Sequence, residues 1–413
     1  MIKNILIINQ PLNNRGDESA HKAIVRSILL ALPNADIEVL FTNENQESIS
    51  QFDIGCSRVS YVNIRLVKGW CHFIHFFKKD IFFKMLGDFH PTVKKLTSIY
   101  RAFDLIFCAP GGICMGGFQD WGHVALLSVA KFLKKTIAYY GRSIGPFPTE
   151  TEKNRLFKKK SLSLLNYFSF LSLRDKKSMN LADSLNVKYE PTVDSAFLET
   201  PNVEIPASVS EQIGVKPYIV FVPNLLIWHY AYKGKVSLNE VLEFYEKILK
   251  IVVAKYPEHN IVMLPQTFNY GTYEGDDINF FRDLKKYTQN EKLIIIPDTY
   301  SSDIQQTIIS KADCMIGARY HSVVFAINQA IPFVALSYEH KITGLLETLN
   351  KTDSMVDITS AFDSDESTQD VLVQLKKTLD IAHRDIDAQH KAKKIARDCF
   401  DKFLKFCSEN DFH

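Results

Sequence analysis

No stretch of this 413-residue chain stays apolar for the roughly 20 residues that cross a bilayer. Nor does the opening MIKNILIINQPL carry the apolar core and small-residue cleavage site of a secretory leader, so a cytoplasmic chain is expected. Blocks of like charge are missing too. With 49 Lys and Arg against 47 Asp and Glu, the formal charge is +2 and no basic arm is offered to nucleic acid. The seven cysteines are odd in number and none belongs to a Cys-x-x-Cys pair. Cys108 and Cys314 sit inside apolar runs, which reads as reduced core residues with no disulfide framework, zinc site or other metal behind them. There is no internal repeat, no low-complexity tract, no GxGxxG and no P-loop. What remains is 46% apolar residues over a length that suits two cores, and a composition suited to a small-molecule or carbohydrate partner.

Short runs rich in Ile, Val and Phe alternate with helical patterns along the chain, the mark of parallel α/β architecture. Strands are expected at KNILIIN, DIEVLFTN, FDLIFCAP, KTIAYYG, FSFLSLRD and VKYEPTVD, then at YIVFVPN, NIVMLPQ, KLIIIPD, DCMIGAR and PFVALS. Periodicity lapses between residues 198 and 217, where Pro, Ser and Gly gather, and the linker is placed there. Two doubly wound Rossmann-like domains, 1–200 and 215–360, are expected to face a cleft, with helices in 365–413 packing back toward the first. One stretch departs from the pattern: residues 68–96 crowd Trp70, Phe73, Phe76, Phe77, Phe82, Phe83 and Phe89 among lysines. Such a segment is either a core helix with a solvated basic face or a peripheral membrane dock.

Polar residues cluster where strands end, the edge at which open α/β sheets bind ligands. After the first strand, NNRGDESA offers Asn14, Gly16 and Asp17, with Asp17 as helix cap or as ligand contact. After FDLIFCAP come Gly111 and Gly112, then Asp120 and Trp121, an Asp beside an aromatic ring that suits a sugar as well as a structural turn. Arg142 and Arg174 each follow a strand, and either reads as an anion contact or as half of an ion pair. In the second half, Gln266, Thr267 and Asn269 bring neutral hydrogen-bonding groups. The segment DCMIGARYHSVVF then gives strand, Gly317, Arg319, His321 and a helix start. Arg suits bidentate contact with phosphate or carboxylate, the helix N-terminus favours an anion, and His is suited to proton transfer near neutrality. The competing reading pairs Arg319 with Asp313 and buries His321 as a core residue.

The series NNRGDESA, PGG, GRSIGPF, SLRDKKS, PTVDSAF, MLPQ and GARYHSVVFAINQAIPFVALSYEHK resembles the polysaccharide pyruvyl transferase family over nearly the whole chain. That resemblance implies a two-domain GT-B-like fold and transfer of a pyruvyl group from phosphoenolpyruvate to sugar hydroxyls as a cyclic ketal, with phosphate released. It also implies donor contacts at Arg319 and His321, with Arg174 contributing. Arg142 stands where the family commonly has Gln. Phosphoenolpyruvate carries two anionic groups, so Arg319 and Arg174, one from each domain, are expected to close on it, with Lys341 and Gln266 as further donor contacts. His321 is the expected general acid, and Asp17 or Asp120 the base. Asn14, Gly111, Gly112, Trp121 and Arg142 are expected on the acceptor side. The implied acceptor is a hexose, galactose first, of a bacterial surface polysaccharide or its lipid-linked precursor. No cofactor and no metal are called for. A GT-B glycosyltransferase using a nucleotide sugar, and a non-catalytic sugar-binding protein, share the same plan.

Overall fold

The computed structural model describes residues 2–67, 69–72, 90–229, 232–268, 273–297 and 299–410. It divides into two compact units: residues 1–12, 20–198 and 394–413 in the first, and 13–19 with 199–393 in the second. Unit 1 carries strands β1 (Asn4–Ile8), β2 (Asp36–Thr42), β3 (Val59–Ile64), β4 (Leu105–Cys108), β5 (Gly111–Met115), β6 (Thr136–Ile144), β7 (Phe170–Leu173) and β8 (Glu190–Pro191). Their order is β3-β2-β1-β4-β6-β7-β8, with β5 pairing β6, and every pairing is parallel. Unit 2 carries β9 (Tyr218–Val222), β10 (Asn260–Met263), β11 (Leu293–Ile295), β12 (Met315–Gly317), β13 (Phe333–Ser337) and β14 (Met355–Asp357), all parallel in the order β11-β10-β9-β12-β13-β14.

Both sheets are buried on two faces, which is why their strands read as continuous apolar runs. In β1, Leu6 and Ile8 join one core while Ile5 and Ile7 join the core on the opposite face, as the two-residue repeat of a strand requires. The order reverses between β1 and β4 in unit 1 and between β9 and β12 in unit 2. These are the switch points at which doubly wound sheets open a crevice.

Between residues 198 and 217 the chain forms one helix, Ala207–Ile213, with Val209 and Ile213 buried. Two expectations are corrected. The last helices do not both pack with unit 1. Asp365–Ile381 gives Val371, Leu372, Leu375 and Leu379 to the core of unit 2, whereas Cys399, Phe400, Phe403 and Cys407 from Ile386–Glu409 belong to a core of unit 1. Residues 13–19, read as part of the first domain, group with unit 2. Of the aromatic segment 68–96, residues 68 and 73–89, with the proposed membrane dock they carry, lie outside the described residues. Its end, Pro91–Arg101, is a helix that buries Val93, Leu96 and Tyr100. Among the described residues no helix is long and apolar enough to cross a membrane.

Burial in unit 1 sets a pH dependence. His21 is fully buried beside Gln10, whose Oε1 lies 2.9 Å from His21 Nδ1. Burial, then the charges of Lys22 and Arg26, push its pKa down from 6.5 to about 3. The unfolded chain therefore binds a proton that the folded chain refuses between those values, so this contribution is complete above pH 6.5 and erodes as the pH falls toward 3. Urea denaturation is expected to lose about 1 kcal/mol of stability per pH unit below 6.5 from this group, and His21→Gln to flatten that slope.

Candidate active site

At the switch point of unit 2, β12 ends at Gly317 and the chain turns at once into the helix Tyr320–Asn328. Gly317 is required by space: a Cβ there would lie 2.2 Å from Ser322 Oγ and 2.8 Å from Met315 Sδ. Ser322 Oγ in turn donates to Arg319 O at 2.6 Å, which fixes the helix start. Arg319 occupies the N-cap position, but its side chain does not cap. Its Nη2 pairs with Asp277 Oδ1 and donates to Thr267 Oγ1 at 3.0 Å. Its Nε is buried with no partner among the described residues. Burial works against the Arg319 charge, but Asp277, Tyr338 and Tyr245 together override it and hold the pKa above its ordinary value.

Asp277 organises more than the arginine. Its Oδ2 accepts from the backbone N–H groups of Gln266 and Thr267, at 2.8 and 2.9 Å, so one carboxylate ties the loop after β10 to the loop after β12. Asn13–Ser19 completes the arrangement. Asn14 bridges to Thr267, Arg15 N donates to Gln266 O at 2.9 Å, and Phe268 N donates to Asn13 O at 3.1 Å. Arg15 pairs with Glu18 at 2.5 Å and lies 4.2 Å from the centre of the Phe268 ring. This places Gly16 against His321 so closely that a Cβ would sit 1.8 Å from the imidazole Cγ and Nδ1. Fully buried Asn224, which follows β9, donates through Nδ2 to the Tyr338 hydroxyl at 2.6 Å. Tyr338 follows β13, and so does Lys341, whose Nζ lies 3.5 Å from Glu339.

Several expected residues fall elsewhere. Asn14 belongs to unit 2, and it rather than Asp17 caps the helix Arg15–Ala31, its Oδ1 accepting from Gly16 N at 2.8 Å and Asp17 N at 3.3 Å. Asp17 is half-buried in that first turn, also in unit 2. Arg319 does not pair with Asp313, whose carboxylate meets His259 at 2.7 Å. The Gln266 side chain turns away to donate to Gln305 Oε1 at 2.7 Å, and Asn269 lies outside the described residues. Arg174, in unit 1, is buried and paired with buried Asp194. Trp121 packs edge-on against Phe157, 5.0 Å between ring centres, and is core. Gly111 and Gly112 lie within β5, and a Cβ on Gly111 would come within 3.0 Å of Arg142 Nη2. Arg142 is fully buried, giving hydrogen bonds to Ala109 O at 2.9 Å, Asn9 O at 3.1 Å and Gly112 O at 3.4 Å. Asp120 caps the helix Trp121–Phe132 through His123 N, at 2.9 Å. Asp277, Asn224 and Tyr338 were not anticipated. Asp277 sits inside the run EGDDINFF, where a second Asp at a helix start reads as a cap, and only its burial exposes its other task.

The family description "Polysaccharide pyruvyl transferase" matches residues 14–340, a span that takes in both the Asn14 segment and Arg319-Tyr320-His321. The chain belongs to the polysaccharide pyruvyl transferase family. A relative of this chain, the amylovoran biosynthesis protein AmsJ of Erwinia amylovora, is 23% identical over 385 residues, covering 88% of this chain and 89% of its own. Among solved structures, a UDP-N-acetylglucosamine 2-epimerase superposes with a TM-score of 0.61 at 10% identity, covering 99% of this chain and 97% of its own. Arabidopsis thaliana UGT89C1, solved with UDP, gives 0.53 at 12% identity over 98% of this chain and 100% of its own. At such identities the likeness is one of fold, and it makes this chain GT-B-like.

Proposed function

We propose that this chain transfers a pyruvyl group from phosphoenolpyruvate and sets it as a cyclic ketal on a hexose of a bacterial surface polysaccharide or its lipid-linked precursor. The observation that carries the donor assignment is Arg319: a half-buried guanidinium pinned through Nη2, its buried Nε without a partner among the described residues, beside His321 at a helix N-terminus. Lys341, only loosely held by Glu339, supplies a second positive charge for the two anionic groups of the donor.

His321 protonates the C3 methylene, leaving C2 electron-poor. One sugar hydroxyl then adds to C2 and loses its proton. Cleavage of the bond between C2 and the bridging oxygen releases phosphate, and the second hydroxyl closes the ring. Of the two protons the sugar gives up, one is made good on the methyl carbon and the other leaves with phosphate. Arg319 and the helix N-terminus stabilise the charge gathering on the departing group. The chemistry tests directly: phosphate release from phosphoenolpyruvate is followed over a panel of simple and lipid-linked galactosides, glucosides and mannosides. Release that depends on an acceptor is expected. Release of nucleotide from a sugar nucleotide, with none of phosphate from any acceptor, contradicts the reading.

A further inference from the structure

At the carboxyl edge of the first sheet, unit 1 holds a cavity of about 330 Å³, within the range of small-molecule sites. Gln10, Thr42, Glu44, Trp70, Asp120 and His123 are among the residues that wall it. His123 is 3% exposed, and its Nε2 is buried with no hydrogen-bond partner among the described residues. A buried polar nitrogen left without a partner is costly, so the position calls for a ligand that supplies one. Burial, reinforced by the charge of Arg142, lowers the His123 pKa well below its ordinary value and keeps the ring neutral.

The surroundings select the ligand. Glu44 and Asp120 repel an anion and accept from hydroxyls. Arg142 also borders the cavity, but its donors are taken up by the carbonyls of Asn9, Ala109 and Gly112 and by Cys114 Sγ, 3.2 Å from Nη2. That guanidinium also weighs against a cation at Cys114, Asp120 and His123, whose ligand atoms fall within 4.8 Å of one another. A neutral hydroxyl both donates and accepts, so it satisfies Nε2 in either tautomer. Trp70, nearly buried, gives an apolar wall for the C–H face of a ring.

We propose that this cavity binds the sugar ring of the acceptor, with His123 Nε2 meeting one hydroxyl, Thr42 and the Glu44 and Asp120 carboxylates meeting others, and Trp70 beside the ring. The assignment rests on the pyruvyl transfer reading, and it moves the aromatic contact from Trp121 to Trp70.

Calorimetric titration with methyl hexopyranosides tests it, in parallel with titration by phosphoenolpyruvate. Thr42→Val and His123→Phe are expected to weaken glycoside binding about 5- to 10-fold each, with His123→Gln restoring most of the loss and the phosphoenolpyruvate affinity unmoved. Thr42→Val guards against a folding defect in the buried histidine variant. Unchanged glycoside affinity in both variants overturns the proposal. So does one stoichiometric metal ion in the wild-type protein that is lost in Cys114→Ser. Failure of the transferase reading looks different: glycoside binding and its variant pattern persist while no acceptor draws phosphate from phosphoenolpyruvate.

Discussion

Gly16→Ala is expected to lower kcat/KM for pyruvyl transfer by about 100-fold or more while the protein stays folded. The added methyl would lie 1.8 Å from His321 Cγ and Nδ1 and 2.4 Å from its Cβ. Those atoms are the root of the imidazole, not the far end of a flexible chain, so the ring or the helix start must shift. A displacement near 1 Å at a reacting group is enough for a loss of that size. The three atoms nearest that methyl all belong to His321, so phosphoenolpyruvate affinity should change only a few-fold. Steady-state kinetics beside calorimetric titration separate the two. Near wild-type turnover in Gly16→Ala would remove His321 from the chemistry.

The second large effect belongs to the Arg319–Asp277 pair. Arg319→Ala leaves a buried carboxylate with no cation beside it, and denaturation should show a loss of about 3–5 kcal/mol. Phosphoenolpyruvate affinity should fall about 10- to 150-fold, the worth of a charged hydrogen bond. Stability and binding part company in the double variant Arg319→Met with Asp277→Asn. The side-chain amide introduced by Asp277→Asn would keep an acceptor for the Gln266 and Thr267 N–H groups. Stability should therefore return to within about 1 kcal/mol of wild type, since a paired loss of both charges is tolerated. Donor affinity should stay lost. Recovery of donor affinity along with stability would show that Arg319 acts only as a structural partner of Asp277.

The parallel sheets were legible because their strands are buried on both faces and read as plain apolar runs, and β1, β2, β4, β6 and β9 through β13 all fall where such runs do. β3, Val59–Ile64, escaped notice because Ser60 and Asn63 interrupt it on an outer strand. β5 escaped because Gly111 and Gly112 read as a loop, whereas Gly111 makes room for the buried Arg142. In the site, the Gly-x-Arg-x-His spacing marked its own residues, since an apolar strand ends in a charge where something must pair with that charge or bind to it. What it could not mark was its partner. Asp277 lies 42 residues away in sequence, and the Gly16 contact with His321 joins residues from opposite ends of the family span. Such pairings are set by chain crossings that no local pattern records. The stacking role given to Trp121 failed for a related reason. One turn of helix decides which aromatic faces the core, and there Phe157 claims it.

Pyruvyl transfer with cleavage at C2 leaves an isotopic signature. Phosphoenolpyruvate carrying heavy oxygen at the bridge between C2 and phosphorus is turned over with a hexose acceptor, and both products are weighed by mass spectrometry. The label is expected to leave entirely with inorganic phosphate, and the acceptor to gain an unlabelled pyruvate ketal. Label retained in free pyruvate, with an acceptor that gains a phosphoryl group or nothing, would contradict it.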